Sequence, residues 1–347
     1  MNNPLKTFVL RVALFFSPIL ILAVWYIIAD PFSVIYNYGS DAYANKPTFV
    51  KNREWITMAA LEQSKDRYHY DTFIFGNSRS IFWEIKDLKE YLPDKNPFHF
   101  DASSEDLYGV KEKLMYLCDN NYNIQNAIIL LDRRVITRET QRIAPLFNRA
   151  PALVKNKPVL LSHMEMFSSI VSHPQLIIAY CDYSIFGKKR DYIKSLLETE
   201  ENYCYNVEGN QLSLTYFENL ISKDPNSFYN EEKMSQFYHR DTTTVTYTDI
   251  LIKEEQYSIL KDIKDILADN DIKYTIVLNP LYDMLAINPK DKQILTDIFG
   301  EDKLHDFSGN NFITRDYFNY YENGHYRPHA AKMIMESIFT NKQNYFE

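Results

Sequence analysis

The sequence predicts an α/β fold, a three-layer sandwich in which helices cover both faces of a mostly parallel β-sheet, preceded by one N-terminal transmembrane helix. Short apolar runs alternate with amphipathic segments from residue 71 onward, which is typical of parallel strands joined by helices. One apolar segment near the N-terminus is long enough to cross a bilayer. Hydrophobic residues make up 46% and charged residues 24% of the 347 residues, so disordered and low-complexity classes are disfavoured.

The transmembrane prediction concerns Phe8 to Ala29, where Arg11 is the only charged residue. A helix over this range is about 33 Å long, against a bilayer hydrocarbon core of about 30 Å. A buried core helix is the alternative, but Lys6 before the segment and Trp25 near its far end fit a membrane segment better. A cleaved signal peptide would have a shorter apolar region and small residues at the cut, so we expect an uncleaved anchor.

The charges on either side of this segment predict its orientation. Lys6 and Arg11 lie at its start, whereas the first basic residues after it are Lys46 and Lys51. Positive charges stay on the cytoplasmic side of a bacterial membrane. We therefore expect a single-pass protein of the cytoplasmic (inner) membrane whose main domain lies on the extracytoplasmic side.

Charge and cysteine content exclude several function classes. The chain has 38 Lys plus Arg against 46 Asp plus Glu, a formal charge of -8, so we expect no nucleic-acid partner. Cys118, Cys181 and Cys204 form no C-x-x-C pair, which disfavours a structural zinc site and a disulfide-dense scaffold. Cys181 with Cys204 is the only pair that we consider for a bridge. No metal or cofactor motif is visible, and we expect neither.

The predicted elements follow in chain order from an anchor at residues 1–30. Residues 31–71 are predicted to form a stalk that packs on the domain, with a short helix around Glu54 to Gln63. Apolar, β-branched and aromatic runs predict strands at Asp71–Phe75, Pro97–Asp101, Ala127–Asp132, Tyr274–Leu278 and Leu304–Phe307. Helical spacing predicts helices at Ile85–Tyr91, Leu107–Cys118, Glu254–Asp269 and Pro328–Phe339. The domain would span 72–347 and carry a long insertion at 133–253, which we expect to form a substrate or partner surface.

A serine follows the first predicted strand. In an open parallel sheet, ligands bind outside the carboxyl ends of the strands, and Gly76-Asn77-Ser78-Arg79-Ser80 stands at that position. A helix beginning just after Ser78 would supply backbone donors and a positive field for an oxyanion. The alternative is an ordinary strand-to-helix turn in which the serine only caps the helix.

A histidine that could serve Ser78 as a base precedes the last helix. Glu322 lies three residues before His325, a spacing at which a carboxylate in a turn can reach the imidazole Nδ1 and fix its tautomer. Pro328 suits the first turn of the next helix, which predicts that His325 lies in a loop. His329 would lie on that helix and is the rival base, and either histidine could also be an ordinary surface residue.

These two segments resemble the motifs of the SGNH (GDSL-like) hydrolases, and in particular of their membrane-anchored bacterial branch. Gly76-Asn77-Ser78 is similar to the block that carries the nucleophilic serine of that family. Glu322 to His325 matches the D-x-x-H block before the last helix, with Glu in place of Asp. The resemblance covers residues 72–132 and 254–340 and implies an SGNH or flavodoxin-like sheet order, with Ser78, His325 and Glu322 as the catalytic residues.

Two middle blocks depart from the family pattern, and both concern the oxyanion hole. The family's second block supplies a glycine amide, but Asp101 to Glu105 contains no glycine. The third block supplies an asparagine, but Asp132 stands there, and its charge would oppose an oxyanion. The oxyanion donors would then come from Ser103, Ser104 or the arginines that follow Asp132, of which Arg133 is the first candidate.

The resemblance implies an exported serine acyl-transfer enzyme. It would be an O-acyltransferase or acetylesterase that acts on a cell-surface polysaccharide through an acyl-serine intermediate. Its partners would be the cytoplasmic membrane, the polysaccharide and a multi-spanning membrane acyltransferase that passes the acyl group outward. The alternative is a non-catalytic assembly or carbohydrate-binding protein of the cell envelope that keeps the fold with a degraded oxyanion hole.

Overall fold

The computed structural model describes residues 4–36, 48–49, 51–137, 147–154, 157–187, 190, 197–198 and 204–340. Its strands, numbered in chain order, are β1 Thr48–Phe49, β2 Thr72–Phe75, β3 Pro97–His99, β4 Asn126–Leu131, β5 Leu197–Glu198, β6 Cys204–Asn206, β7 Gln211–Ser213, β8 Thr246–Tyr247, β9 Lys273–Leu278, β10 Leu285–Ala286, β11 Leu304–Asp306, β12 Tyr320–Glu322 and β13 His325–Tyr326. Its α-helices are α1 Pro4–Ala29, α2 Arg53–Tyr68, α3 Ile85–Tyr91, α4 Leu107–Asp119, α5 Arg133–Thr137, α6 Val159–Val171, α7 Pro174–Phe186, α8 Thr215–Lys223, α9 Pro225–Phe228, α10 Glu231–Met234, α11 Glu254–Asp269, α12 Pro289–Phe299 and α13 Pro328–Phe339.

Five of the strands form one parallel sheet in the order β11-β9-β4-β2-β3. Numbered along the chain, this order is 2-1-3-4-5, which places β2 and β4 side by side at the point where the strand order reverses. The predicted α/β class with a parallel central sheet is confirmed. The first strand, β2, therefore ends at the crevice where doubly wound sheets bind their ligands.

Alternate residues of the sheet strands enter two hydrophobic clusters because successive side chains of a strand point to opposite faces. Phe73, Phe75 and Ile129 belong to one cluster, together with residues of α2, α4, α11 and α12. Ile74 and Leu130 belong to the other, together with residues of α3 and α13. Strands β2, β3 and β4 are buried along nearly all of their length, which explains their runs of aliphatic and aromatic residues. Strand β9 is buried only in its second half, and β11 is half-buried.

The N-terminal helix α1 is long and apolar enough to cross a membrane, and it is the one such helix among the described residues. Only 6% of its most apolar 18-residue window is buried inside the protein, which argues against a core helix. Pro18 lies inside the helix. The structure thus supports one N-terminal apolar helix that is either a membrane anchor or a signal sequence.

The helix predicted around Glu54 to Gln63 is longer in the structure, where α2 runs from Arg53 to Tyr68. Asn52 caps it by accepting a hydrogen bond from the Trp55 backbone N–H. Met58, Ala60 and Leu61 enter the same core cluster as the sheet. This part of the predicted stalk is therefore an integral layer of the fold.

A buried cluster of charged side chains joins α2, α4 and the segment 147–154. Lys113 Nζ lies 3.6 Å from Glu54 and bonds to Glu105, while Arg149 bonds to Asp106 and lies 3.4 Å from Glu54 and from Glu105. These three acids and two bases are almost fully buried. Burial raises the pKa of Glu54 despite the nearby cations.

The structure settles one small feature that the sequence left open and adds one that was not predicted. All three cysteines are free, so Cys181 and Cys204 do not form a bridge. The sequence prediction also omitted α12, which Asn288 caps and Pro289 begins, and which buries Leu295 and Phe299.

Candidate active site

Ser78 projects from a tight turn at the carboxyl end of β2. The turn is closed by Asn77, whose carbonyl accepts from the Ser80 N–H at 2.9 Å and whose side-chain oxygen accepts from the Arg79 N–H at 3.0 Å. Asn77 and Arg79 are 4% and 3% exposed, whereas Ser78 is half-buried. The turn thus buries the side chains of Asn77 and Arg79 and leaves the Ser78 side chain at the crevice.

Gly76 allows β2 to reach this turn beside β4. A Cβ at position 76 would lie 3.1 Å from Leu130 Cβ and 3.3 Å from the Leu130 carbonyl oxygen, tighter than ordinary contact. A side chain here would require its neighbours to shift by a few tenths of an ångström.

The α-helix that could have supplied backbone donors to Ser78 does not begin immediately after it. Only a 3₁₀ helix of three residues follows, Ser80–Phe82, and α3 does not begin until Ile85. A single short turn has no macrodipole of the strength expected for a full helix. One backbone donor for an oxyanion remains in the serine turn, because the Ser78 N–H makes no hydrogen bond within the described part of the chain.

His325 lies on a short antiparallel hairpin and not in the loop predicted for it. Strands β12 and β13 pair Glu322 with His325 across the turn at Asn323 and Gly324. An Asn-Gly pair between two short strands is a hairpin signal that the sequence analysis did not use. The hairpin places the carboxylate and the imidazole side by side.

Buried hydrogen bonds fix this hairpin to the sheet. The Tyr326 hydroxyl donates to Asn279 Oδ1 at 3.0 Å and accepts from Trp83 Nε1 at 3.1 Å. Asn279 directly follows β9, and Trp83 directly follows the 3₁₀ helix after Ser78. The residue next to His325 is thus held by groups from the two sides of the crevice.

The structure brings Ser78, His325 and Glu322 into one chain of contacts. Ser78 Oγ lies 2.8 Å from His325 Nε2, within the range required of a nucleophile and its base. His325 Nδ1 bonds to Glu322 Oε1, and the other carboxylate oxygen of Glu322 accepts from the Gly324 N–H at 2.6 Å. With the Nδ1 proton directed to the carboxylate, Nε2 is free to accept the proton of Ser78.

Glu322 is ionised in this setting. Burial alone would oppose ionisation, but the hydrogen bond and charge of His325, the Gly324 N–H and the charge of Lys233 together hold the pKa of Glu322 below its usual value. The side chains of His325 and Glu322 are 36% and 25% exposed, so the pair lies at the mouth of the crevice and not in the core.

The rival base, His329, is engaged elsewhere. His329 lies on the first turn of α13, and its Nε2 is 2.8 Å from Asn319 Oδ1. Burial, followed by the charge of Arg327, lowers the pKa of His329. The histidine that contacts Ser78 is the one three residues after Glu322.

Asp132 does not present a free charge to the site. Its carboxylate accepts from Asn77 Nδ2 at 2.7 Å, from Arg79 Nη1 at 2.9 Å and from the Arg134 N–H at 2.7 Å. Burial opposes its ionisation, but the charge of Arg79 and these hydrogen bonds hold the pKa of Asp132 below its usual value. The carboxylate is therefore neutralised by the two residues that flank Ser78. Sequence analysis missed this network, although Arg79 was within the motif that it singled out.

The residues proposed as oxyanion donors, Ser103, Ser104 and Arg133, differ in their position relative to Ser78. The guanidinium of Arg133 pairs with Asp283, so it is not directed at Ser78. Ser103 and Ser104 lie half-buried in the turn after β3, which adjoins the serine loop because the Ala102 N–H donates to the Gly76 carbonyl at 3.3 Å. Ser104 has a left-handed backbone with φ of 61°. The unbonded Ser78 N–H remains the best placed donor of those considered.

Part of the insertion packs against the histidine hairpin. Glu218 on α8 accepts two hydrogen bonds from Arg327, both at 2.8 Å, and one from the Tyr321 hydroxyl at 2.6 Å. Arg327 and Tyr321 flank the segment from Glu322 to Tyr326. The insertion thus contributes to holding the site, a contact that no local sequence pattern indicated.

Comparison with protein-family models and with curated proteins gives no match.

Proposed function

We propose that this protein is a serine acyl-transfer enzyme in which Ser78 is the nucleophile, His325 the base and Glu322 the group that orients the imidazole. The observation that carries the proposal is the 2.8 Å contact between Ser78 Oγ and His325 Nε2, with Glu322 on the opposite nitrogen. These residues come from segments 247 positions apart in the chain. A serine that served only as a helix cap would not require His325 and Glu322 beside it.

The reaction follows from this arrangement. Ser78 Oγ attacks an ester carbonyl carbon while His325 Nε2 takes the hydroxyl proton, and Glu322 stabilises the resulting imidazolium. The Ser78 N–H donates to the oxyanion. When the carbon–oxygen bond to the leaving alcohol breaks, His325 returns the proton to that alcohol and the acyl group remains on Ser78.

The acceptor decides which enzyme this is. Water would release the acid and make the protein an acetylesterase, whereas a sugar hydroxyl would make it an O-acyltransferase. We propose a cell-surface polysaccharide as substrate because the sequence resembles membrane-anchored SGNH proteins and because α1 is a candidate anchor. The sheet order 2-1-3-4-5 and the helices on both sheet faces support a three-layer SGNH-like fold. A multi-spanning acyltransferase would then supply the acyl group from the cytoplasm.

A non-catalytic envelope protein is the second candidate, and one observation favours it. Asp132 stands where the family has an asparagine, and the neighbouring Arg133 is paired with Asp283. The oxyanion hole then has fewer side-chain donors than an SGNH hydrolase.

The first test uses the full-length protein in detergent with a fluorophosphonate probe and a chromogenic acetyl ester. We expect the wild type to be labelled and to turn over the ester, and Ser78→Ala and His325→Ala to lose turnover by a factor of about 10³ or more. His329→Gln is the matched control and should retain both. Equal labelling of wild type and Ser78→Ala would contradict the proposal.

A second test separates a transferase from a non-catalytic protein if the purified protein neither takes the fluorophosphonate label nor turns over the ester. Surface polysaccharide is isolated from cells that carry only Ser78→Ala, and its O-acyl content is measured. An enzyme of either kind predicts a changed O-acyl content, reduced for a transferase and increased for an esterase. Unchanged content with a folded protein would support the assembly role.

A further inference from the structure

We propose that helices α6 and α7 form a hairpin that lies in the outer surface of the bilayer, beside the point where α1 leaves it. The lipid-facing residues, called here the hairpin apolar face, are Leu160, Leu161, Met164, Ile178, Ile185 and Phe186, which are 44% to 72% exposed. The inference rests on the membrane anchorage proposed for α1 and goes beyond the acyl-transfer site, which does not use this hairpin.

Among the described residues, the hairpin contacts the C-terminal end of α1. Tyr180 donates to the Ala29 carbonyl at 3.0 Å and packs edge-on against Trp25, with the ring centroids 5.6 Å apart. Tyr26 packs against Phe167, with the ring centroids 5.7 Å apart. Tryptophan and tyrosine at the end of a membrane helix mark the level of the lipid headgroups. If α1 spans the bilayer, the hairpin lies at that same level.

Helix α6 is apolar on its exposed face as well as at its buried positions Met166 and Ile170. Its buried face includes Ser162 and Ser169, whose hydroxyls have no hydrogen-bond partner among the described residues. Its exposed face carries Leu160, Leu161 and Met164. A surface helix normally turns its apolar stripe inward, so this arrangement indicates that the exposed face does not meet water.

The exposed face also lacks charge. Every position of α6 and α7 that the structure describes as fully exposed is apolar or uncharged. The two acidic residues of the hairpin are both paired, Glu165 with Lys157 and Asp182 with Arg190, the latter at 2.8 Å. Burying this face in lipid therefore removes no unpaired charge from water.

Helix length decides between spanning and lying flat. Each helix has 13 residues and is about 20 Å long, too short for a hydrocarbon core of about 30 Å. An amphipathic hairpin of this length lies in the interface plane with its apolar side chains among the upper acyl chains. Since Trp55 of α2 packs on His163 of α6, with the ring centroids 5.2 Å apart, the hairpin also ties the catalytic domain to the membrane surface.

The test measures the depth of single fluorophores in full-length protein reconstituted in vesicles of phosphatidylethanolamine and phosphatidylglycerol. The native cysteines are replaced by serine, and a fluorophore is attached to a cysteine at position 160, 164, 178 or 185. Quenching by lipids with a nitroxide on the acyl chain is compared with quenching by aqueous iodide. Leu20→Cys on α1 is the membrane reference, and Tyr257→Cys, at a side chain 44% exposed on α11, is the water reference.

We expect the hairpin labels to be quenched by the lipid nitroxide and protected from iodide, as at position 20, with the opposite result at position 257. Circular dichroism of each variant checks that it is folded. Hairpin labels as open to iodide as position 257 would overturn the proposal, because the face would then lie in water. Protection from both quenchers would overturn it equally, since a protein would then cover the face. A Leu20 label that lipids do not quench would instead overturn the anchorage itself, while the acyl-transfer tests stand independently.

Discussion

At the residue scale, the position of the Glu322 carboxylate beside His325 depends on the turn between β12 and β13. Glu322 lies across the hairpin from His325, and Gly324 leaves room for a backbone N–H to reach its second oxygen. A Cβ on Gly324 would lie 3.0 Å from that oxygen. The turn thus fixes the position of the Glu322 carboxylate as well as that of the His325 imidazole.

We expect Glu322→Gln to lower turnover of the acetyl ester by a factor of about 10³ or more, because an amide cannot stabilise the imidazolium and allows the wrong tautomer. Glu322→Asp should be intermediate, since it keeps the charge but has a shorter reach. Steady-state kinetics of the full-length protein measures both. Glu301→Gln, at an exposed position remote in sequence, is the control, and equal activity of Glu322→Gln and wild type would remove Glu322 from the mechanism.

His99 makes the stability of the fold depend on pH. It is fully buried at the end of β3, and burial lowers its pKa to about 4 from an unfolded value near 6.5. The unfolded chain therefore takes up a proton first as the pH falls, and stability present above about pH 6.5 is lost on the way to pH 4.

From this pKa difference we expect the free energy of unfolding to fall by about 3 kcal/mol between pH 7 and pH 4 through His99 alone. Urea denaturation of wild type and His99→Gln at several pH values measures this contribution. The variant should keep only the slope due to other groups, such as the half-buried His305 and His329, whose pKa values are also lowered. Identical slopes for the two proteins would show that His99 is not the titrating group.

At the scale of elements, the packing of helix α4 against the buried charged cluster requires Gly109, although glycine is normally unfavourable inside a helix. A Cβ at Gly109 would lie 2.0 Å from Glu105 Oε1 and 2.1 Å from Arg149 Nη1. Both atoms belong to the buried charged cluster, so neither can move away without breaking an ion pair.

Gly109→Ala should therefore destabilise the protein by about 1–3 kcal/mol, although glycine to alanine inside a helix usually stabilises by about 1 kcal/mol. Thermal or urea unfolding of the variant gives the sign. In a Glu105→Ala background the same change should cost less, because one of the two contacts is gone. A stabilising Gly109→Ala would mean that the cluster repacks freely.

Local sequence patterns predicted the sheet strands and the helices α3, α4, α11 and α13 because each buries a short periodic or continuous apolar run. Helix α12 was missed even though Asn288 and Pro289 form a helix start signal. The Asn323-Gly324 turn was also a usable signal. The pairs Arg79–Asp132 and Arg327–Glu218 could not be predicted, because their partners lie 53 and 109 residues apart and no periodicity relates them.

At the scale of the whole molecule, the orientation of α1 in a membrane would determine which substrates the proposed site can meet. The apolar helix α1 with its early positive charges predicts a domain outside the cytoplasm. A reporter that is active only outside the cytoplasm, fused after residue 347, should therefore be active. The same fusion without residues 4–29 is the control and should be inactive.

The size of the mature protein completes this topology test. An anchor predicts that the N-terminal residues remain attached and that the fusion stays in the membrane fraction. An active fusion recovered in soluble form and shortened at its N-terminus would instead identify α1 as a cleaved signal. Activity of a cytoplasmic reporter would reverse the orientation and exclude an extracellular polysaccharide as substrate.

The long separation between Ser78 and His325 sets the time at which the site can exist during synthesis. The chain emerges from the ribosome N-terminus first, so the serine turn, β2 and β4 can fold long before the hairpin at 320–326 has been made. Contact between Ser78 Oγ and His325 Nε2 closes a loop of 247 residues and is among the most non-local contacts of the fold. Under the proposed mechanism, a nascent chain that stops before Glu322 would hold the serine without its base and would be inactive until β12 and β13 are in place.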